Sequence, residues 1–170
     1  MKKKKILALV TGGTFDKEYN LITGELYFNE THLPEIFERG RCTLDITVNT
    51  LMMIDSLEMT DENRDLIISK CQQEDLNHIL IAHGTDTMCQ TAERIVKSEN
   101  LADKTIVLVG AMIPYKFGMS SDGFFNLGAA LAFVQAMPAG VYIAMHGECF
   151  PWNDVWKNRA TGYFEHLGQA

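Results

Sequence analysis

The chain has 170 residues, 46% of them hydrophobic and 22% charged, which fits a globular domain able to bury roughly 70% of its unfolded surface without staples. A formal net charge of −7 excludes the basic patches that nucleic-acid or anionic-membrane partners require. No apolar stretch approaches the roughly 20 residues of a membrane-spanning helix, and the Lys2–Lys5 run is followed by too short an apolar segment for a signal peptide, so it reads as a solvated strand lead-in. Cys42, Cys71, Cys89 and Cys149 are widely spaced, and the five histidines lack metal-ligand spacing. Free thiols in a cytoplasm, with no metal and no disulfide framework, are expected.

In chain order, a first buried strand is expected over about Lys5 to Val10, followed by Thr11-Gly12-Gly13-Thr14. The polar segment Phe15 to Phe28 reads as a loop or small hairpin. Pro34 to Arg39 reads as a short helix stopped at Gly40, and Thr43 to Met52 as a strand. Thr60 should cap a helix through about Cys71, with Asp61 and Glu62 in its first turn. A strand over His78 to Ala82 delivers His83-Gly84-Thr85-Asp86, with a helix from near Thr85 to about Ser98. Another strand, Thr105 to Val109, delivers Gly110-Ala111-Met112. Asp122 or Gly123 opens a helix through about Met137, and a fifth strand covers Val141 to Met145. The tail beyond it carries Trp152, Asp154, Trp156 and Lys157 in strand-end loops. Alternating strands and helices predict one α/β domain, doubly wound and mostly parallel, with helices on both faces in a flavodoxin-like or Rossmann-like arrangement.

Two threonines, Thr14 and Thr85, follow strand ends where ligands bind in open parallel sheets. A threonine hydroxyl needs a base and an oxyanion site before it attacks an amide. Asp86 adjoins Thr85, Lys157 could serve as a buried amine, and Tyr19 is a second candidate acid or base. Backbone N–H groups at the start of the helix near Thr85 could hold the oxyanion. Each part has a plainer reading: Thr85 as a helix cap, Thr14 bonding its own turn, Asp86 as a dipole partner, Tyr19 and Lys157 as solvated side chains. Only their joint arrangement favours chemistry. A nucleotide-binding reading is disfavoured, since Gly12-Gly13 is too short for a dinucleotide fingerprint and no phosphate-loop motif occurs.

Thr11-Gly12-Gly13-Thr14-Phe15 with His83-Gly84-Thr85-Asp86-Thr87-Met88 strongly resembles the bacterial-type L-asparaginases, the glutaminase-asparaginase family. Asp55-Ser56-Leu57-Glu58-Met59, Gly110-Ala111-Met112 with Pro114, Ser121-Asp122-Gly123 with Phe125-Asn126-Leu127, and Asp154-Val155-Trp156-Lys157 extend the resemblance in order over most of the chain. The resemblance implies that Thr14 attacks the side-chain amide carbon of asparagine and that Tyr19, on a mobile loop, activates it. It implies a second group formed by Thr85, Asp86 and Lys157, which orients or activates the nucleophile or the hydrolytic water. Ser56 and Asp86 match positions holding the substrate's α-carboxylate and α-amine; Gly13, Thr85 and Ala111 complete the implied pocket. No metal or organic cofactor is implied.

The resemblance is to the family's N-terminal domain alone, so residues 1–170 are expected to be one catalytic domain lacking the smaller C-terminal domain, which in longer members helps complete a neighbour's pocket. Phe15 replaces the usual aliphatic residue and Glu58 the commoner aspartate; neither is a reacting group. A homo-oligomer, dimer or tetramer, is implied, with Phe124, Phe125, Phe133, Trp152, Trp156 and Phe164 as candidate interface aromatics, although core packing suits Phe133 better. The leading expectation is a cytoplasmic amidohydrolase that converts L-asparagine to aspartate and ammonia. The alternatives are an amidohydrolase acting on glutamine or another small amide, and a catalytically silent amino-acid-binding module or oligomer subunit.

Overall fold

In the computed structural model, which describes residues 4–169, the strand β1 (Lys5–Gly12) lies inside a six-stranded sheet. Lys2 and Lys3 of the basic run lie outside the described residues. A single 3₁₀ turn (Thr14–Asp16) and the hairpin β2 (Lys17–Tyr19) and β3 (Leu26–Phe28) follow, the small hairpin that Gly24 suggests. Next come α1 (Leu33–Arg39), β4 (Asp45–Ile54), α2 (Asp61–Gln73), β5 (His78–Ala82), α3 (Met88–Val96), β6 (Thr105–Val109), a 3₁₀ segment (Tyr115–Ser120), α4 (Gly123–Ala136) and β7 (Gly140–Met145). The tail forms β8 (Glu148–Pro151) and a two-residue hairpin, β9 (Trp156–Lys157) with β10 (Phe164–Glu165), which replaces the expected irregular tail. The helix expected from near Thr85 starts only at Met88, so Thr85 and Asp86 stand in the preceding loop.

The sheet order is β4-β1-β5-β6-β7-β8, all parallel except the last pair. The inner strands β1, β5, β6 and β7 read as apolar runs because both faces are covered. Leu7, Leu9, Ile79, Ile81, Ile106 and Leu108 face α2 and α3, which contribute Ile67, Cys71, Ala92 and Ile95. Ile6, Ala8, Leu80, Val107 and Val109 face the other way, toward Leu33 and Ile36 of α1 and Leu127, Ala130 and Val134 of α4. Because α3 and α4 lie on opposite faces while β5, β6 and β7 step in one direction, the crossover through α4 has the opposite hand to the other three. Parallel crossovers are right-handed in about 98% of cases, which makes α4 the exception and lays its N-terminus against the loop after β6.

Phe164, an expected interface aromatic, is instead 4% exposed within the core, while Phe133 packs against the α1/α4 layer as expected. Folding the tail back as β8 to β10 removes Phe164 from solvent. Phe124 and Phe125 remain exposed on α4. All four cysteines are free thiols.

Thr60 accepts from Asn63 N at 3.4 Å while Asn63 Oδ1 accepts from Thr60 N at 2.9 Å, a reciprocal cap on α2. Replacing Thr60 with Ala removes one half of this cap. Urea unfolding should register a loss of about 1 kcal/mol with an unchanged denaturant slope.

Candidate active site

Order reversal in the sheet falls between β1 and β5, where connections leave in opposite directions and open a crevice at the carboxyl ends of the strands. Val10 pairs with Ala82 there, so Thr14 and Thr85 emerge four and three residues beyond neighbouring positions. Gly12 and Gly13 have φ of 94° and 85°, a left-handed conformation that glycine adopts without steric cost. A Cβ on Gly13 would stand 2.4 Å from Gly84 Cα, and one on Gly84 would stand 2.5 Å from Ser56 Oγ. The loops after β1, β5 and β4 are therefore in backbone contact. Thr11 Oγ1 donates to Ala82 O at 2.9 Å and Gly13 N to Ile54 O at 2.9 Å, stitching the same three strands.

Lys157 enters from β9. Its Nζ donates to Thr85 Oγ1 and to Asp86 Oδ1, each at 2.8 Å, and its side chain is only 11% exposed. Thr85 is buried and Ser56 is 1% exposed. Thr87 Oγ1 donates to Ser56 O at 2.8 Å, fixing the Asp55-Ser56 turn beside Thr85. Thr14, partly buried, opens the 3₁₀ turn whose next residues, Phe15 and Asp16, are fully buried. Tyr19 is half exposed on β2, packed edge-on against Phe117 with ring centroids 6.5 Å apart. Among the described residues no hydrogen bond joins Tyr19 to Thr14. The structure thus brings Gly13, Ser56, Thr85, Asp86 and Lys157 together with the Thr14 turn beside them, and leaves Tyr19 on the outer hairpin. Ala111 is fully buried at the neighbouring loop, where a Cβ on Gly110 would stand 2.9 Å from Thr85 Cγ2.

Several supporting residues fall in the blocks that carry the resemblance without a role assigned from the sequence. Asp122 accepts from Met112 N and Ile113 N at 3.0 Å, and Asn126 Nδ2 donates to Gly110 O at 3.0 Å while its Oδ1 accepts from His146 N at 3.0 Å. Asp122, the residue before α4, and Asn126, four positions on, lock the loop carrying Ala111; their spacing and their place in the resembling blocks were the available hints. Lys17 and Asp55 pair at 2.5 Å, linking the hairpin to the Ser56 turn across 38 residues, which no local pattern shows. Burial pushes the Asp55 carboxyl up, but the Lys17 bond, the Leu57 N–H and the charges of Lys17 and Lys157 outweigh it and leave it below the usual range.

His83 is fully buried. Its Nδ1 meets Gly84 O and its Nε2 meets Thr91 Oγ1, both at 2.8 Å, while Arg64 Nε donates to the same hydroxyl at 3.2 Å. A consistent assignment has Nδ1–H donating to the Gly84 carbonyl and the Thr91 hydroxyl donating to Nε2, so the ring is neutral and holds the Gly84 peptide. Burial lowers the His83 pKa to about 4. It raises Cys89 to about 11 and Cys71 to about 12, so neither thiol is a thiolate nucleophile at neutral pH. A cavity of about 730 Å³ opens at the other end of the sheet between Val96, Leu101, Tyr142 and Trp152, and none of the candidate catalytic or substrate-binding residues lines it.

The family model described as "Asparaginase, N-terminal" matches residues 5–165, and the chain belongs to the asparaginase family. It is 31% identical to L-asparaginase 1 of Escherichia coli (strain K12), over 96% of this chain and 50% of that protein. It is 30% identical to a glutaminase-asparaginase of Acinetobacter glutaminasificans, over 91% of this chain and 50% of the relative. A solved structure, the probable cytoplasmic L-asparaginase from Campylobacter jejuni, superposes with a TM-score of 0.79 at 30% identity, covering 92% of this chain and 50% of that one. The chain spans about half the length of the curated relatives it matches.

The neutral His83 sets an acid limit on stability. An unfolded chain takes up a proton at pH 6.5 while the native ring resists until about 4, so stability present above pH 6.5 is lost as pH falls through that window. The loss is of order 3 kcal/mol. Replacing His83 with Gln should flatten the fall in chemical-denaturation free energy between those pH values relative to wild type.

Proposed function

We propose that the protein is an amidohydrolase that cleaves the side-chain amide of L-asparagine to aspartate and ammonia. The observation that carries this reading is the Lys157 ammonium held by Thr85 and Asp86 directly beside the Gly13–Gly84 contact that brings in the Thr14 turn. In this reading Thr14 Oγ attacks the amide carbon and loses its proton, ammonia leaves with a proton, and a β-aspartyl ester remains. Water then attacks the ester; aspartate leaves and the Thr14 hydroxyl is restored. Lys157, once it gives up its proton, can take one from Thr85, and Asp86 stabilises the ammonium that results. Ser56 and Asp86 would receive the α-carboxylate and α-amine, and the Ala111 loop would face the amide end. Tyr19 would act on Thr14 only after the hairpin swings inward from its contact with Phe117.

Glutamine is the second substrate reading, supported by the glutaminase-asparaginase among the relatives. One methylene changes transition-state binding by only about 1–3 kcal/mol in such a pocket. The catalytic domain is taken as residues 1–170, working in the cytoplasm, a reading supported by the free thiols and by the name of the Campylobacter jejuni protein. Self-association into a homo-oligomer is supported by exposed Phe124 and Phe125.

With millimolar asparagine, ammonia release by wild type should exceed that of Thr14→Ala by roughly 10³-fold or more, and Lys157→Met should fall nearly as far, because the groups act as a unit. Equal release by wild type and Thr14→Ala would refute the reading. The kcat/KM ratio for asparagine over glutamine should lie between about 10 and 200; a value below one would reassign the substrate.

A further inference from the structure

One buried ionisable group beside the crevice has no part in the proposed chemistry. Asp16 is 0% exposed and lies two residues beyond Thr14, at the end of the same 3₁₀ turn. A turn of three residues has little stability of its own. Gly13, at its start, supplies no capping side chain, and the turn's own backbone contributes two bonds, Asp16 N to Gly13 O at 3.2 Å and Lys17 N to Thr14 O. The Asp16 carboxyl is what ties its far end to the next loop. Oδ1 accepts from His32 N at 2.8 Å and from Thr31 Oγ1 at 3.2 Å, while the buried Oδ2 has no hydrogen-bond partner.

We propose that Asp16 is a positioning residue for the threonine chemistry: its carboxylate ties the turn that begins at Thr14 to the loop that opens α1, and so keeps the Thr14 hydroxyl within reach of the amide. The proposal rests on the amide-hydrolysis reading. Phe15, equally buried, would anchor a turn without charge; a carboxylate with one unsatisfied oxygen is a costly anchor, and it is sited where the nucleophile must not drift.

The tether is also sensitive to pH. Burial raises the Asp16 pKa to about 6 against the pull of the His32 and Thr31 bonds. The charged groups that face it and its partner loop are Glu18 on β2, 3.5 Å from His32 Nε2, together with Glu30, Glu35 on α1 and Lys116 on the 115–120 turn. His32 itself is pushed below its ordinary value, first by burial and then by Lys116, so it supplies a backbone donor rather than a cation. The ionised carboxylate makes charge-assisted bonds; protonation weakens them and loosens the turn. Turnover therefore falls on the acid side while substrate affinity, carried by Ser56 and Asp86, is little changed.

Two variants and two readouts test this: kcat and KM for asparagine between about pH 5 and 8, and amide hydrogen exchange over residues 14–19. Asp16→Ala should lower kcat by about 10- to 100-fold with KM within about twofold, and should accelerate exchange across the segment. Asp16→Asn keeps an oxygen acceptor but carries no charge, so it should hold kcat at the level wild type reaches on its acid side, exchange at a rate between wild type and Asp16→Ala at pH 8, and lose the inflection at about pH 6. Unchanged exchange and kcat in Asp16→Ala would overturn the proposal, as would an Asp16→Asn profile retaining the wild-type inflection. Should Asp16→Ala fail to fold, the Asp16→Asn profile and exchange decide. Should wild type release no more ammonia than Thr14→Ala, the amide reading fails, and exchange alone still supports or overturns the tether.

Discussion

At the crossing of the loops after β1 and β5 the backbones of Gly13 and Gly84 touch so closely that a single methyl on Gly13 would overlap Gly84 Cα and N at 2.4 Å. The meeting of the loops after β1, β5 and β4 follows from that contact. It places the Thr14 turn beside Thr85, and Gly84 in turn admits Ser56 on its other side. Because β1 and β5 are hydrogen-bonded neighbours at the centre of the sheet, the contact stands on rigid strands rather than on a loop free to open. The cost is conformational: two glycines at positive φ must be ordered in succession, and the bonds from Thr11 to Ala82 and from Gly13 to Ile54 offset it.

Charge is arranged around this contact as an alternating series. Lys17 pairs with Asp55, Lys157 with Asp86, and the Lys157 charge also reaches Asp55. An ammonium that is 11% exposed would be a liability alone; a carboxylate and a hydroxyl at 2.8 Å pair it and fix its position. Beneath it the neutral His83 holds the Gly84 peptide through a network that runs by Thr91 to Arg64, so helix α2 braces the loop.

The hand of the α4 crossover matters for the same reason. On the α1 face, α4 presents Asp122 and Asn126 to the loop after β6, and their bonds to Met112, Ile113 and Gly110 settle where Ala111 sits. On the α2/α3 face, the helix that leads into β7 could not deliver those two residues to that loop.

Much of this was legible in the chain. Unbroken apolar runs such as Ile79-Leu80-Ile81-Ala82 mark strands buried on both faces, Thr60 with Asp61 and Glu62 marks a helix start, and glycines at the strand ends mark Thr14 and Thr85 as presented groups. These signals are local, because burial periodicity and capping act over a few residues. What the tertiary structure alone decided is non-local: the hand of the α4 crossover, the folding back of β8 to β10 that buries Phe164 and delivers Lys157, the Lys17–Asp55 pair, and the tie from Asp16 to His32. Each joins residues whose proximity is set by how layers pack and which strand pairs with which, and side-chain spacing along the chain carries no record of that choice.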